Sequence, residues 1–253
     1  MKLLAVDIGN TNINFGVFKN NRLALEFKVS TRGYQLKELK KEIGRVEPDG
    51  IIISSVVPCA CDILGRGLKA LFGKAPYILG KNINAPIKNL YRCPKQVGQD
   101  RLVNAYAGIM LYGAPLVVVD FGTAVTFDII SKKKEYLGGM ILPGLGISLE
   151  GLYENTALLP KIKLGKPKEF IGRDTRASML SGMVYGFAAL TDGLIGKIKE
   201  KIGRNVLVVG TGGDISIVGR YCKSIDRIDG DLTLQGLNLI MRQCKNLCCK
   251  SAI

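Results

Sequence analysis

The sequence predicts an α/β protein built from two similar lobes, each with a mixed sheet flanked by helices. Short apolar runs alternate with helical segments along the 253 residues, which is the pattern of mixed α/β folds. One pattern also occurs twice: PLVVVDFGTAVTFDII repeats LLAVDIGNTNINFGVF, so that Asp7 aligns with Asp120 and Gly9 with Gly122 at one constant offset. This internal duplication predicts lobes over 1–113 and 114–253, with a ligand cleft between them.

The first half begins with a buried strand, LLAVDI, and continues with a hairpin. The two strands of the hairpin, INFGVF and RLALEFKV, are separated by Asn20-Asn21, a pair typical of tight turns. A later apolar run, GIIISSVV, predicts another buried strand that Pro58 ends. The remaining predictions are a helix over 35–46, a helix over 62–72, a functional loop over 82–97 and a helix over 100–111.

The second half shows the same order of elements. PLVVVDF and AVTFDII predict a pair of strands, YLGGMIL predicts a third, and NVLVVGTGGD predicts one more buried strand followed by a glycine turn. The predicted helices cover 147–153, 175–202 and 233–244. The order of elements therefore agrees with the duplication.

The composition excludes several kinds of chemistry. The chain contains no histidine, which excludes catalytic pairs of serine or cysteine with histidine, imidazole bases and HExxH zinc sites. Any acid–base chemistry must use carboxylates, lysine, tyrosine or cysteine. The seven cysteines are an odd number without a secretory signal, so free thiols are expected rather than a disulfide framework. A metal site in the group Cys244, Cys248 and Cys249 is the alternative.

The net charge of +15 is compatible with nucleic acid, a membrane surface or small anionic substrates. The basic residues are dispersed, and no nucleic-acid-binding motif accompanies them, which favours a solvated basic surface and leaves nucleic-acid binding as the minor alternative. No apolar run approaches the roughly 20 residues of a membrane span, and Asp7 interrupts the N-terminal apolar stretch. We therefore expect a cytoplasmic protein that does not bind membranes.

The duplicated turns are the strongest chemical signal. In each copy a strand ends in Asp-x-Gly followed by Asn or Thr, a turn that points backbone N–H groups and a hydroxyl outward. Such turns bind phosphate oxygens, and the neighbouring carboxylate suits a hard cation. A third glycine turn lies at 210–213. Together these features indicate a nucleoside triphosphate site, the alternative being hairpin turns that use Asp and Gly for geometry alone.

The motifs DIGNT (7–11), DFGTA (120–124) and TGG (211–213) resemble the two phosphate motifs and the adenosine motif of the superfamily of acetate kinase, sugar kinases, Hsp70 and actin. Three further segments narrow the resemblance: YRCPKQVGQDR (91–101), LGGMILPGLGISLEGL (137–152) and IGRDTRASMLSG (171–182). In this combination and order the sequence resembles type III pantothenate kinases. The resemblance implies two ribonuclease-H-like lobes.

The resemblance also implies ATP-dependent phosphorylation of pantothenate, the first step of coenzyme A biosynthesis. Asp100 would be the catalytic base, with a helix-capping role as the alternative. Asp7 would organise Mg²⁺, through water, and Asp120 would bind a monovalent cation, K⁺ or NH₄⁺. The substrate-binding residues would be Tyr91, Gly98, Gln99, Arg101 and Thr175. The ATP-binding residues would be Asp7, Gly9, Asn10, Thr11, Asn12, Thr123, Gly212 and Gly213.

A homodimer is implied as well, because Thr175 would lie on a helix at the subunit interface and complete the substrate site there. Structural alternatives are a loop anchor for Tyr91 and a helix N-cap for Thr175. Gln99 departs from the family, which usually has a small residue there, and a longer amide could alter the pantothenate pocket. Two rival functions stay open: a non-catalytic relative that assists transcription, and a kinase for another small hydroxylated acid or sugar.

Overall fold

The computed structural model describes residues 2–34, 36–43 and 46–250. The chain divides into two compact units. The first unit extends to Met110 and also includes the residues from Leu232 onward. The second unit is Leu111–Asp231. Each unit is an α/β structure built around one main sheet.

The sheet of the first unit has the order β3-β2-β1-β4-β5. Strands β1 to β3 are antiparallel neighbours, whereas β4 runs parallel to β1 and β5 parallel to β4. The strands of this unit are β1 (Lys2–Ile8), β2 (Asn12–Lys19), β3 (Arg22–Ser30), β4 (Gly50–Ser55), β5 (Tyr77–Ile78) and the short β6 (Lys88–Asn89). The helices are α1 (Leu36–Ile43), α2 (Pro58–Phe72), a 3₁₀ turn (Pro94–Gln96) and α3 (Gln99–Tyr112).

Local sequence explains these elements. The β2–β3 turn is made by Asn20 and Asn21, both of which adopt positive φ, as the predicted tight turn requires. Alternate residues of the central strands face opposite sides of the sheet. Leu4 and Val6 pack against the side covered by α1 and α2, whereas Leu3 belongs to the cluster on the other side.

The second unit repeats that topology, because the five strands within Leu111–Asp231 have the order β9-β8-β7-β10-β11 with the same parallel and antiparallel pairs. The strands are β7 (Leu116–Phe121), β8 (Ala124–Ile130), β9 (Glu135–Pro143), β10 (Leu207–Thr211) and β11 (Arg227–Ile228). The helices are α4 (Leu145–Glu154), α5 (Thr175–Ile202), α6 (Ile215–Val218) and a 3₁₀ turn (Gly219–Tyr221). The predicted α/β duplication is thus confirmed in the topology of the two sheets.

The last helix, α7 (Leu232–Lys250), departs from the expected lobe boundaries of 1–113 and 114–253. It is grouped with the first unit because its apolar face buries Leu234, Leu237 and Ile240 in the same cluster as Leu3 and Ile52 of the first sheet. The position of an amphipathic helix depends on the apolar surface against which it packs, and the order of elements in the sequence does not reveal that surface.

Helix α5 corrects the expectation that no segment is long and apolar enough to cross a membrane. Among the residues that the structure describes, this one helix satisfies length and composition for a span. The helix nevertheless contributes Ala188, Ile195 and Ile198 to the core of the second unit. Its Asp192 accepts a hydrogen bond from the backbone N–H of Ser224 at 2.8 Å. These contacts are those of a core helix in a folded domain.

Candidate functional site

The turn between β1 and β2 is tight and tied to a neighbouring strand. The Gly9 N–H donates to the Asn12 carbonyl oxygen at 3.0 Å, and a side chain at Gly9 would press on that same oxygen. The Thr31 hydroxyl donates to the Gly9 carbonyl oxygen at 2.7 Å, while the Thr31 N–H donates to Thr11. Asn10, Thr11 and Asn12 are exposed on this fixed turn, and turns of successive backbone N–H groups form anion-binding concavities in proteins.

Asp7 lies just before this turn, in the middle of the sheet. It is paired in register with Asn14 on β2 and with the fully buried Ser54 on β4. The pKa of Asp7 is raised to about 7: burial raises it most, the charge of Asp100 also raises it, and hydrogen bonds from the Asn14 and Ser54 side chains partly offset the rise. A carboxylate in this environment favours either a proton or a nearby cation.

Asp100 is the second residue of α3, and its Oδ1 accepts the backbone N–H of Arg101 at 2.8 Å. A side chain at Gly98 would collide with the Asp100 carboxylate, so the glycine leaves room for it. Burial raises the pKa of Asp100, whereas the Arg101 backbone and charge lower it. The carboxylate therefore makes a local contact at the helix start and also has the raised pKa expected of a base.

The structure thus brings together Asp7 and Asp100, which are far apart in sequence, closely enough for their charges to interact. No group of three or more potential metal-ligating acids or cysteines occurs within the described ranges. Two carboxylates in a poorly solvated place fit a divalent cation that takes its other ligands from phosphate and water, as Mg²⁺ does. The repulsion between the two carboxylates is relieved either by a proton or by a bound cation.

The other predicted substrate residues of the first unit lie at the start of α3 or in the loop before it. Arg101 is 8% exposed. Gln99 packs its side-chain amide against Gly80, whose positive φ of 77° and lack of a side chain admit it. Tyr91 is partly buried, and its backbone N–H donates to Asn89 Oδ1 at 2.9 Å, so the loop is locally anchored.

The second unit contains the equivalent turn. Asp120 is paired in register with Thr126 on β8 and Thr211 on β10. The Gly122 N–H donates to the Ala124 carbonyl oxygen at 3.1 Å. A side chain at Gly212 would collide with the Asp120 carboxylate, so this glycine forms one wall around it.

The tips of the two glycine turns in the second unit are accessible. Thr123 and Gly213 are exposed, and Gly212 has a positive φ of 96°. The Asp214 N–H donates to the Phe121 carbonyl oxygen at 3.0 Å, which fixes the Gly212-Gly213 turn beside the first one. The predicted residues Asp120, Thr123, Gly212 and Gly213 therefore belong to one local arrangement.

Sequence reasoning could not place Asp128, and the structure shows where it lies. It is fully buried and accepts hydrogen bonds from Tyr136 Oη at 2.8 Å and from Thr126 Oγ1 at 3.2 Å. The signal in the sequence was an acid among apolar strand residues, Phe127 and Ile129. Its partner Tyr136 comes from the next strand and could not be paired with it before the register was known.

Thr175 is exposed at the first position of α5. The N-cap is Asp174, whose Oδ1 accepts the backbone N–H of Ala177 at 2.8 Å. The alternative interpretation of Thr175 as the cap is therefore wrong, because a carboxylate one residue earlier satisfies the first turn. The Thr175 hydroxyl is left in an accessible position at the helix end.

The described cysteines Cys59, Cys61, Cys93, Cys222 and Cys244 are thiols that take part in no disulfide, as predicted. The side chains of Cys248 and Cys249 lie outside the residues whose side chains are described, and so does the predicted cysteine group as a whole.

A comparison of the sequence with known families decides the relationship. A model of the type III pantothenate kinase family matches residues 3–197. A protein named type III pantothenate kinase from Moorella thermoacetica is 38% identical over 248 residues, covering 94% of this chain and 98% of that protein. The chain belongs to the type III pantothenate kinase family. The family match includes Asp7, Asp100, Asp120 and Thr175 and ends before Gly212.

Solved structures agree on the fold of this type III pantothenate kinase family member. The activator of 2-hydroxyisocaproyl-CoA dehydratase from Clostridium difficile, with bound ADPNP, has a TM-score of 0.59 at 12% identity, covering 99% of this chain and 98% of its own. A ROK family glucokinase from Streptomyces griseus, in complex with glucose and AMPPNP, has a TM-score of 0.53 at 12% identity, covering 96% and 100%. At these identities the likeness concerns the fold, and it agrees with the predicted α/β fold of the actin and sugar-kinase type.

Proposed function

We propose that the protein transfers the γ-phosphoryl group of ATP to the hydroxyl of pantothenate, which gives 4′-phosphopantothenate and ADP, the first step of coenzyme A biosynthesis. Membership of the type III pantothenate kinase family supports this reaction. The observation that carries the proposal is the pair Asp7 and Asp100, two interacting carboxylates with raised pKa values beside a glycine turn. A phosphoryl-transfer site needs a base and a cation-binding group in this proximity.

Asp100 acts as the general base in this proposal. As the pantothenate oxygen forms its bond to the γ-phosphorus, the bond from that phosphorus to the β–γ bridging oxygen breaks and ADP leaves. The hydroxyl proton moves to the Asp100 carboxylate. A raised pKa makes the carboxylate a better proton acceptor, and Gly98 keeps the space around its Oδ1 open.

Asp7 and the adjoining turn bind the phosphates of ATP. The Asp7 carboxylate holds Mg²⁺, through water, and the fit is supported by the unfavourable charge of the Asp7–Asp100 pair. Bound Mg²⁺ supplies neutralisation of the charge that develops on the phosphate oxygens. Gly9, Asn10, Thr11 and Asn12 contribute backbone and side-chain donors from a turn that Thr31 fixes.

In the second unit, Asp120 binds a monovalent cation, K⁺ or NH₄⁺, and Thr123, Gly212 and Gly213 contact ATP. The fit of Asp120 is supported by its place between glycine turns that exclude side chains from its carboxylate. One carboxylate carries the single charge that a monovalent ion balances. Asp120 therefore has a role in cation binding rather than in proton transfer.

Pantothenate is held by Tyr91, Gly98, Gln99, Arg101 and Thr175 in this proposal. Arg101 suits the substrate carboxylate, because a guanidinium binds a carboxylate with two parallel hydrogen bonds. The protein forms a homodimer that completes the substrate site near Thr175. Exposure of Thr175 together with Phe170 and Ile171, which are 67% and 74% exposed, supports an interface on that side. The enzyme acts in the cytoplasm, without membrane or nucleic acid.

The decisive experiment is ATP turnover by the purified protein with and without pantothenate and with and without K⁺. Asp100→Asn should lower kcat by about 100- to 10,000-fold, the usual contribution of a general base. The matched control is Asp62→Asn, because Asp62 is an exposed carboxylate of the same unit whose Oδ1 pairs with Lys81 Nζ at 2.7 Å. It should leave turnover unchanged.

Nearly unchanged turnover in Asp100→Asn would contradict the assignment of the base. Absence of pantothenate-dependent turnover in the unaltered protein would contradict the reaction itself. Another hydroxylated acid or sugar would then be tested as acceptor, and a DNA titration at several salt concentrations would test the transcription-associated alternative that the net charge of +15 keeps open.

A further inference from the structure

A buried polar network in the second unit has no part in the proposed roles. Asp128 and Tyr136 are both fully buried, and the Tyr136 hydroxyl donates to Asp128 Oδ1 at 2.8 Å. The Thr126 hydroxyl donates to Asp128 Oδ2 at 3.2 Å. A buried carboxylate is costly unless donors satisfy it, and here each Asp128 oxygen accepts a hydrogen bond from a hydroxyl.

The sheet places this network beside the proposed monovalent cation site. Thr126 lies directly opposite Asp120 in the antiparallel β7–β8 pair, so their side chains share one face of the sheet. Asp128 follows two residues after Thr126 on the same strand and therefore shares that face. Tyr136 reaches it from β9, opposite Ile130, where a register shift follows Ile129. Thr126 thus lies between two carboxylates.

The direction of the Thr126 hydrogen bond determines what Thr126 can offer Asp120. A hydroxyl has one proton and two lone pairs. The Thr126 hydroxyl proton points to Asp128. Thr126 Oγ1 can therefore offer only its lone pairs to any other partner. A lone pair next to a carboxylate is repulsive unless a cation lies between them, whereas hard cations bind such oxygens directly.

We propose that Thr126 Oγ1 is a second protein ligand of the monovalent cation at Asp120, and that Asp128 and Tyr136 hold its hydroxyl in the accepting orientation. The inference deepens the proposed function and depends on its cation site. Thr126 is a binding residue in this view, and Asp128 and Tyr136 are positioning residues that act through it. One carboxylate and one neutral hydroxyl also suit a singly charged ion better than Mg²⁺, which favours more charge and retained water.

The test measures cation binding without turnover. Thermal unfolding is followed while K⁺ replaces tetramethylammonium at constant ionic strength, with and without a non-hydrolysable ATP analogue. A ligand that binds only the folded state raises Tm with its concentration, which gives its apparent affinity. The half-saturating K⁺ concentration for pantothenate-dependent turnover is measured beside it.

Thr126→Val should weaken K⁺ binding by about 10- to 100-fold, the range seen when groups that support a metal site are removed. Thr126→Ser keeps the hydroxyl and should bind K⁺ nearly as the unaltered protein does. Tyr136→Phe keeps the ring and removes only the donor to Asp128, and it should also weaken K⁺ binding. The matched control is Thr191→Val, because Thr191 is a fully buried hydroxyl on α5 that donates to Phe187 O at 2.7 Å.

K⁺ affinity equal to that of the unaltered protein in Thr126→Val overturns the inference. If Asp120→Asn loses the K⁺ response at the same time, the cation site of the proposed function stands while Thr126 is not part of it. If Thr126→Val does not fold, Tyr136→Phe decides, because unchanged K⁺ affinity there contradicts the positioning role. Absence of any K⁺ response in the unaltered protein, with turnover intact, overturns both the cation site and this inference but leaves the kinase reaction.

Discussion

The two strand–turn–strand copies share a backbone design and differ in the groups around the central acid. Both turns follow an aspartate in the second-to-last position of a strand, Asp7 in β1 and Asp120 in β7. In the first copy the turn closes from Gly9 to Asn12, and in the second it closes one residue sooner, from Gly122 to Ala124.

The surroundings of the two acids differ more than their backbones. Asp7 has Asn14 and Ser54 beside it and interacts with the charge of a second acid, Asp100. Asp120 has two hydroxyl residues, Thr126 and Thr211, as its neighbours in register. The two copies therefore share a backbone and differ in the side chains around the aspartate. Asp7 lies near a second carboxylate, whereas Asp120 lies between two neutral hydroxyl residues.

The largest expected effect compares the two acids directly. Asp7→Asn should reduce kcat by about 100-fold or more, because an electrostatic group at the reacting phosphate is lost. Asp120→Asn should act mainly by raising the K⁺ concentration needed for turnover. Steady-state kinetics over separate Mg²⁺ and K⁺ series distinguish the two. If added K⁺ restored the kcat of Asp7→Asn, Asp7 and Asp120 would not bind separate cations.

The next effect concerns stability without ligands. The pKa of Asp7 is raised from 3.8 to about 7, so the folded protein keeps a proton that the unfolded chain releases between these values. The stability linked to this proton is present below pH 3.8 and is lost as pH rises through about 7. Asp7→Asn lacks this loss and should be more stable than the unaltered protein at pH 8, by at most about 4 kcal/mol.

Urea unfolding at pH 4.5 and pH 8 in the presence of a chelator measures that difference. The contrasting control is Asp62→Asn, since its hydrogen bond and ion pair with Lys81 lower the pKa of Asp62. Stability from Asp62 is present above its ordinary pKa and is lost as pH falls, so the control should not stabilise the protein at pH 8. Equal stability of Asp7→Asn and the unaltered protein at both pH values would contradict the buried-charge interpretation.

A smaller effect is expected at the glycine beside Asp120. Gly212 has a φ of 96°, which residues with a side chain rarely adopt. The methyl group of Gly212→Ala would also collide with the Asp120 carboxylate and the Phe121 backbone. It should cost about 1–3 kcal/mol of stability and raise the K⁺ requirement. Gly213→Ala, where nothing lies within 4 Å of an added carbon, is the matched control for stability. Denaturant unfolding that gives the same value for both variants would contradict the close packing around Asp120.

The smallest effect is expected at Gln99. Its amide packs against Gly80, so Gln99→Ala should change KM for pantothenate by only about twofold and leave kcat unchanged. The kinetic constants for pantothenate at saturating ATP provide the measurement. A tenfold fall in kcat would instead mean that Gln99 influences the adjacent base.

Much of the fold could be predicted because its signals are local. Apolar runs, the Asn20-Asn21 turn and the repeated Asp-x-Gly pattern predicted the strands and turns that the structure contains, and α5 covers the predicted 175–202. The motifs also predicted Asp7, Asp100 and Asp120 as site residues, and those roles stay predictions until they are tested by experiment. The strands, the turns and the acids Asp7 and Asp120 needed only neighbouring residues, since periodicity and turn chemistry operate over short stretches of chain, whereas the role of Asp100 came from the resemblance to the family.

The sequence by itself thus determined the two α/β repeats, the glycine turns and the absence of histidine chemistry. Only the tertiary structure decided that α7 joins the first unit, that Asp100 raises the pKa of Asp7, and that Tyr136 satisfies Asp128. These facts depend on strand register and helix packing, which join residues distant along the chain. Burial and charge interaction are properties of that assembled surface, and no local pattern encodes them.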